Sequence, residues 1–436
     1  MILIRNAALL DPSRKLDGAK DGLRDLLVEG GRVKALDRPG SFDALPVREA
    51  FDVKGKLLAP GFIDVHVHLR EPGHEAKETI ATGLKAAVRG GFTSVAPMAN
   101  TSPVNDSPLV TRLILERAKE ANLARVYPIG AVTKGQKGEE ISEIGLMARA
   151  GIRALSDDGF PVMNSAVMKR AMEYARMFDL PVISHAEDLN LSKGAPVTDG
   201  AVSSLLGLPG NPNASEEIMV AREVALARLT GARVHIAHLS TREGVEVVRR
   251  AKEAGVAITA EVTPHHLMLN ENFILKCGHS CSHHQPRTDY KMAPPLRSER
   301  DQEALLEALK NGVIDMVASD HAPHGCVDKD VEFEMAANGI LGLQTTVPLL
   351  LELVHAGKLP LSRMIESLTV GPARLLGVEG IGTLKPGAFA DLVVIDPDEP
   401  WELKPGMIES LSLNSPFLGR KFKGRVLKTM VEGVWK

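Results

Sequence analysis

Cysteine is nearly absent from this chain, with three in 436 residues. So few thiols cannot build a disulfide framework, which fits a protein of the reducing cytoplasm. No run of roughly 18 or more apolar residues occurs, so neither a transmembrane helix nor a membrane partner is expected. The N-terminus lacks the charged, apolar and small succession of a signal peptide; Met1 to Leu10 reads as a strand interrupted by Arg5 and Asn6. Neither sign of charge dominates. Fifty-two basic against 55 acidic side chains leave a formal charge of -3, with no long basic run. That argues against nucleic acid as the main partner, because phosphate binding needs a concentrated positive surface. Internal repeats and low-complexity segments are missing too. What remains is a globular chain, 44% hydrophobic and 25% charged, long enough for a large core and a second, smaller domain.

From about residue 57 to 376 a short apolar run, a polar turn and an amphipathic helix alternate. Candidate strands are 61–69, 93–98, 125–132, 152–156, 181–185, 233–238, 257–263 and 315–319. Ile80, Leu84, Ala87 and Val88 form the stripe of a helix packed on a sheet. Ser298 and Asp301 make a capping-box start, Leu305, Leu306 and Leu309 the buried stripe, and Gly312 the stop. Eight such repeats without hairpin turns predict an α/β fold, a (β/α)8 TIM-type barrel, over an open sheet of fewer strands. The two ends differ. Residues 1–56 and 380–436 hold short alternating runs broken by Gly30-Gly31, Pro39-Gly40 and Pro386-Gly387. Neither end has enough strands to bury a sheet alone. The expectation is one small β-sandwich domain built from both termini, with 57–379 inserted as the barrel.

Active sites on this fold lie at the C-terminal ends of the strands. There the candidate strands carry His66 and His68, Asp157-Asp158, His185, His238 and Asp320. In a strand, side chains i and i+2 share a face, so the HxH pair makes half a metal site. Two zinc-like ions about 3.5–4 Å apart need roughly this set: four imidazoles, a terminal carboxylate and a bridging one. Cobalt or manganese would suit the same ligands. Parity puts His235 and His238 on opposite sides of a regular strand, leaving His235 to pack against a helix. Spacing alone does not separate Asp157 from Asp158. His265 and His266, ending the seventh strand, read as supporting groups. Two cations sharing a water would give a hydroxide near neutral pH and polarise a carbonyl. Asp320 beside them suits the acid–base role, so the reaction class is metal-assisted hydrolysis of an amide-like bond, or its reverse. Arg70, two residues past His68, would fall over the site and suits bidentate binding of a carboxylate, with Asn100 and His324 adding hydrogen bonds.

The run Gly61-Phe62-Ile63-Asp64-Val65-His66-Val67-His68-Leu69-Arg70-Glu71-Pro72-Gly73 resembles the signature of the dihydroorotases in the amidohydrolase superfamily. Met98-Ala99-Asn100-Thr101, Asp157-Asp158-Gly159, Ser184-His185-Ala186-Glu187, Thr263-Pro264-His265-His266-Leu267 and Ser319-Asp320-His321-Ala322-Pro323-His324 follow in the same order. The resemblance covers essentially the whole chain. It implies that His66, His68, Asp158, His185, His238 and Asp320 are metal ligands, with Asp158 bridging and Asp320 carrying the proton. It implies that Arg70, Asn100 and His324 bind the substrate carboxylate, with His68 also at the substrate and the backbone around Asn338-Gly339 touching the ring. The implied reaction interconverts N-carbamoyl-aspartate and dihydroorotate in pyrimidine synthesis. A homodimer, or a complex with aspartate transcarbamoylase, is the implied assembly.

Three departures stand out. Residues 152–159 hold Arg153 but no lysine to be carboxylated, which matches an aspartate-bridged subgroup and weakens a hydantoinase or allantoinase reading. Ala293 stands where this subgroup often has an asparagine, and Asn338 where relatives often have an aromatic. A catalytically silent subunit would be expected to lack ligands, and all six are here. The run from Cys277 to His284, with Cys281, His279 and His283, belongs to none of these motifs and reads as a loop insertion able to bind a further zinc.

Overall fold

The computed structural model describes residues 1–275 and 286–436. The Cys277 to His284 run therefore lies outside the described residues. Eight parallel strand positions form the barrel: β1 (Phe62–Val67), β2 (Phe92–Pro97), β3 in two pieces (Arg125–Val126 and Ile129–Gly130), β4 (Ala154–Ser156), β5 (Val182–Ser184), β6 (Val234–Ile236), β7 (Ile258–Val262) and β8 (Met316–Val317). They pair in sequence order, and the ring closes where Val67 bridges His321 and His68 N donates to His321 O at 2.8 Å. The third expected strand is broken at Tyr127-Pro128 because Pro128 has no N–H for the ladder. Tyr127 N and Pro128 O still reach Val95 O and Arg153 N.

The barrel carries two apolar layers. Phe62, Val95, Leu155, Val182, Ile236 and Val262 face the helices, while Ile63, Val65, Ala96, Ile129, Ala154, Ile183 and Met316 form a separate inner cluster. Alternation along each strand requires this division. Helix Ile80–Arg89 buries Ile80, Leu84, Ala87 and Val88 and starts at a Thr79/Thr82 capping box. Helix Glu299–Lys310 starts at the Ser298/Asp301 box and buries Leu305 and Leu309; Gly312 follows at φ +82.

Both termini meet in a nine-stranded sheet. Its path runs Val434–Trp435, Lys421–Val431, Leu392–Glu402, Leu57–Pro60, Ile2–Asp11, Arg24–Glu29, Arg32–Asp37. Leu57–Pro60 sits between the two ends, with Leu58 opposite both Leu9 and Val394. Ile4, Leu9, Leu26, Leu58, Leu392 and Met430 form the core of this unit, so neither end could bury its apolar face without the other. Arg125 ties it to the barrel by pairing with Asp391 and with Glu432, the latter at 2.8 Å. Among the described residues no helix is long and apolar enough to cross a membrane.

Candidate metal centre

All the expected ligand side chains meet at the C-terminal mouth of the barrel. His66 is on β1; His68, Asp158, His185, His238 and Asp320 lie just beyond the ends of β1, β4, β5, β6 and β8. Among the described residues two groups have donor atoms close enough to hold a cation: His66, His68 and Asp320, and His66, Asp158 and His238. His66 Nε2 is 3.5 Å from both Asp158 Oδ1 and Asp320 Oδ1. His68 Nε2 lies 3.1 Å from Asp320 Oδ1 and 3.5 Å from Asp158 Oδ2, so Asp158 stands between the two groups. His185 Nδ1 joins the second group, 3.5 Å from Asp158 Oδ1 and 2.8 Å from His238 Nε2.

The electrostatics favour positive charge. Burial alone would raise Asp158 and Asp320, but the imidazoles around them outweigh it and hold both carboxyls well below the usual range. Burial alone would lower His66 and His185, yet the facing carboxylates draw His66 well above its ordinary value and His185 up to about 10. His66 Nε2 is also buried without a hydrogen-bond partner, an orphaned polar atom that costs free energy and that a cation in place of a proton would satisfy. The donor set of imidazoles and carboxylates is that of a divalent metal site.

The far sides of three of the four rings are anchored. His68 Nδ1 is 2.9 Å from Asn100 Oδ1, which leaves the Asn100 amide NH2 for other work. His185 Nε2 is 3.0 Å from Glu187, and His66 Nδ1 is 2.6 Å from Glu261. Burial would raise Glu187, yet the His185 ring with Ser192 and Asn211 pulls it down to about 2. Sequence spacing assigns no role to Glu187 or Glu261. The available signal was an acid two residues after His185, and a lone acid inside the apolar strand Ile258–Val262. Asp64 accepts from the backbone N–H of His66 and of Ser319, tying β1 to the segment after β8.

The structure separates residues that spacing could not. Asp157 turns away, accepting from Val132 N at 2.7 Å and from Thr133, and burial pushes it up to about 6. His235 does not pack on a helix. It lies between Val234 and Ile236, which face the helices, so its ring points into the barrel and meets Thr259 Oγ1 and Glu261. The parity argument fails because β6 ends at Ile236 and His238 has φ +31. Arg70 likewise reaches the mouth by a turn, at φ +62, rather than by strand alternation, and Asp320 has φ +46. Three non-glycine residues of the mouth thus hold left-handed backbones, a strain that clusters at functional sites. His266 is occupied by Thr263 Oγ1 and Pro294 O, whereas His265 keeps a buried Nε2 without partner and burial lowers it to about 4.

A second group forms the rim. Arg70 Nε donates to Pro323 O at 3.2 Å, and Arg70 Nη2 rests 3.2 Å from His324 Nε2. His324 Nε2 is 2.8 Å from Asn338 O, so it donates there, and burial with the nearby Arg70 and Lys77 lowers it to about 3. Gly339 follows at φ +118, and a Cβ there would sit 2.4 Å from Ala322 Cβ. Only glycine permits that approach.

This convergence on a barrel rim agrees with comparisons to known proteins. The chain belongs to the amidohydrolase family, whose model matches residues 57–436. It is 49% identical over 433 residues to a dihydroorotase of Desulforapulum autotrophicum, covering 99% of this chain and 98% of that one. A dihydroorotase of Anaeromyxobacter dehalogenans is 47% identical over 437 residues, covering 99% and 97%. Among solved structures, the L-hydantoinase (dihydropyrimidinase) of Arthrobacter aurescens matches with TM-score 0.86 at 25% identity, over 100% of this chain and 95% of its own. The D-hydantoinase of a Thermus species gives 0.83 at 26%. The chain is a metal-dependent cyclic amidohydrolase, and its near relatives by sequence are dihydroorotases rather than hydantoinases.

Proposed function

We propose that this enzyme catalyses the dihydroorotase reaction, the reversible cyclisation of N-carbamoyl-L-aspartate to L-dihydroorotate, on two zinc ions held by His66, His68, Asp158, His185, His238 and Asp320. The supporting observation is the pairing of that ligand-type cluster with a guanidinium, Arg70, on its rim. A neutral hydantoin ring has no use for such a cation, whereas dihydroorotate carries a carboxylate. Bound metal supplies an activated water and a polarised carbonyl. The chain does the rest. Arg70 and the Asn100 amide grip the carboxylate, His324 stands against Arg70 beside them, and the backbone at Asn338-Gly339 orients the ring. In the hydrolytic direction the ring C–N bond breaks as water oxygen adds to carbon, and Asp320 passes the proton taken from water to the leaving nitrogen; cyclisation reverses this. Domains of 1–56 with 380–436 and of 57–379, the latter lending Leu57–Pro60 to the terminal sheet, a cytoplasmic location and assembly as a homodimer or with aspartate transcarbamoylase complete the reading.

Purified protein supplied with zinc should interconvert the two compounds in both directions. Assayed with zinc in saturating excess, Asp320→Asn should reduce turnover by about 10²- to 10⁴-fold, the usual worth of a general acid–base group. Full activity in that variant would overturn the role of Asp320. Hydrolysis of hydantoin without turnover of carbamoyl-aspartate would overturn the substrate.

A further inference from the structure

Below the ligand cluster the barrel interior contains a carboxylate where an apolar side chain would be usual. Glu261 lies on β7 between Ala260 and Val262, both in the helix-facing apolar layer, so its side chain points inward, and it is fully buried. Burying a carboxylate is expensive unless every lone pair is used. Here Oε1 lies 2.6 Å from His66 Nδ1 and accepts from His238 N at 3.2 Å, while Oε2 lies 3.0 Å from His235 Nε2. His235 Nδ1 in turn is 2.7 Å from Thr259 Oγ1.

The hydrogen-bond chemistry leaves little freedom in this array. A carboxylate only accepts, so the proton shared with His66 belongs on Nδ1, and the Nε2 lone pair is directed at the space between Asp158 and Asp320. The same oxygen holds the N–H of His238, whose φ of +31 is unfavourable for a side chain of that size. His235 donates from Nε2, and its Nδ1 pairs with the Thr259 hydroxyl.

We propose that Glu261 is a positioning residue of the metal centre: one buried carboxylate that sets the ring of His66 on β1 and the strained backbone of His238 after β6, and is itself held by His235 and Thr259. This rests on reading His66 and His238 as metal ligands. Glu261 does not touch the reacting atoms and acts only through those two.

Zinc affinity by competition with a chromophoric chelator, on the full-length protein, gives a readout apart from activity. Glu261→Gln keeps the shape and removes the charge, and should weaken zinc binding by about 10- to 100-fold. The strongly downfield Nδ1 proton of His66, seen by NMR with labelled histidine, should move upfield. His235→Gln disturbs the same buried array but keeps an N–H for Glu261 Oε2 and leaves the carboxylate on both ligands, so its zinc affinity should stay within about threefold of wild type. Wild-type affinity and proton position in Glu261→Gln would overturn the proposal alone. So would an equal loss in His235→Gln, which would mark a general packing defect. A wild-type protein that binds no zinc would remove the metal reading and this proposal with it.

Discussion

Arg70→Met should separate acidic from neutral ring substrates. Methionine is unbranched and of comparable reach, so the rim keeps much of its packing and loses the cation. In the native site Nε is committed to Pro323 O and Nη2 lies against His324, while Nη1 has no hydrogen-bond partner among the described residues. Burial lowers the guanidinium to about 10, so it remains charged at neutral pH. A hydrogen bond to a charged group contributes about 1.5–3 kcal/mol. At tenfold per 1.4 kcal/mol, kcat/KM for carbamoyl-aspartate and dihydroorotate should fall by about 10- to 150-fold. A dihydropyrimidine lacking the carboxylate should lose less than about threefold, because no such bond exists to lose. Initial rates on both substrates at fixed zinc, followed by ring absorbance, measure the ratio directly. An equal fall on both would refute the clamp and make Arg70 a strut between Pro323 and His324.

Two further outcomes follow from buried contacts. Gly339→Ala adds a Cβ 2.4 Å from Ala322 Cβ at φ +118; overlap and left-handed strain together should cost about 2–5 kcal/mol in urea unfolding, and an unchanged midpoint would disprove the close approach. Burial would raise Glu78, but His321, Ser410 and Thr82 outweigh it and hold the carboxyl below its ordinary 4.5. A depressed carboxyl stabilises above its unfolded value and loses that contribution as pH falls through the folded one. Stability should therefore drop less steeply in Glu78→Gln than in wild type as pH falls below the ordinary carboxyl value, and equal slopes would count against the cluster.

Much of the barrel was legible because a parallel strand buried on both faces and a helix packed on one leave different apolar periods. Ile80, Leu84, Ala87 and Val88 sit where their spacing put them, and each of the eight expected strands overlaps an observed one. Strand ends were less legible. The ladder stops at Val67 and Ile236, and the residues beyond, Arg70 and His238, take left-handed backbones that no alternation rule describes. That is why parity misplaced His235. Asp157 and Asp158 show the same limit, since only Val132 and Thr133, which come from another part of the chain, decide which one turns away. Glu261 was hidden for a different reason. Its role depends on rings from β1 and β6, and the one local sign of it is an acid set inside the apolar strand Ile258–Val262.

The terminal sheet also bears on how the protein is made. Leu58 pairs with Val394, so one edge of Leu57–Pro60 has no partner until the ribosome has passed the entire barrel. At about 5–20 residues per second that delay is roughly 20–70 seconds. Throughout it a sticky flank of Leu57, Leu58 and Ala59 stands open beside the growing polypeptide. Synthesis of this enzyme thus invites chaperone binding at one predictable place, and a ribosome stalled short of Leu392 would leave that flank permanently unsealed.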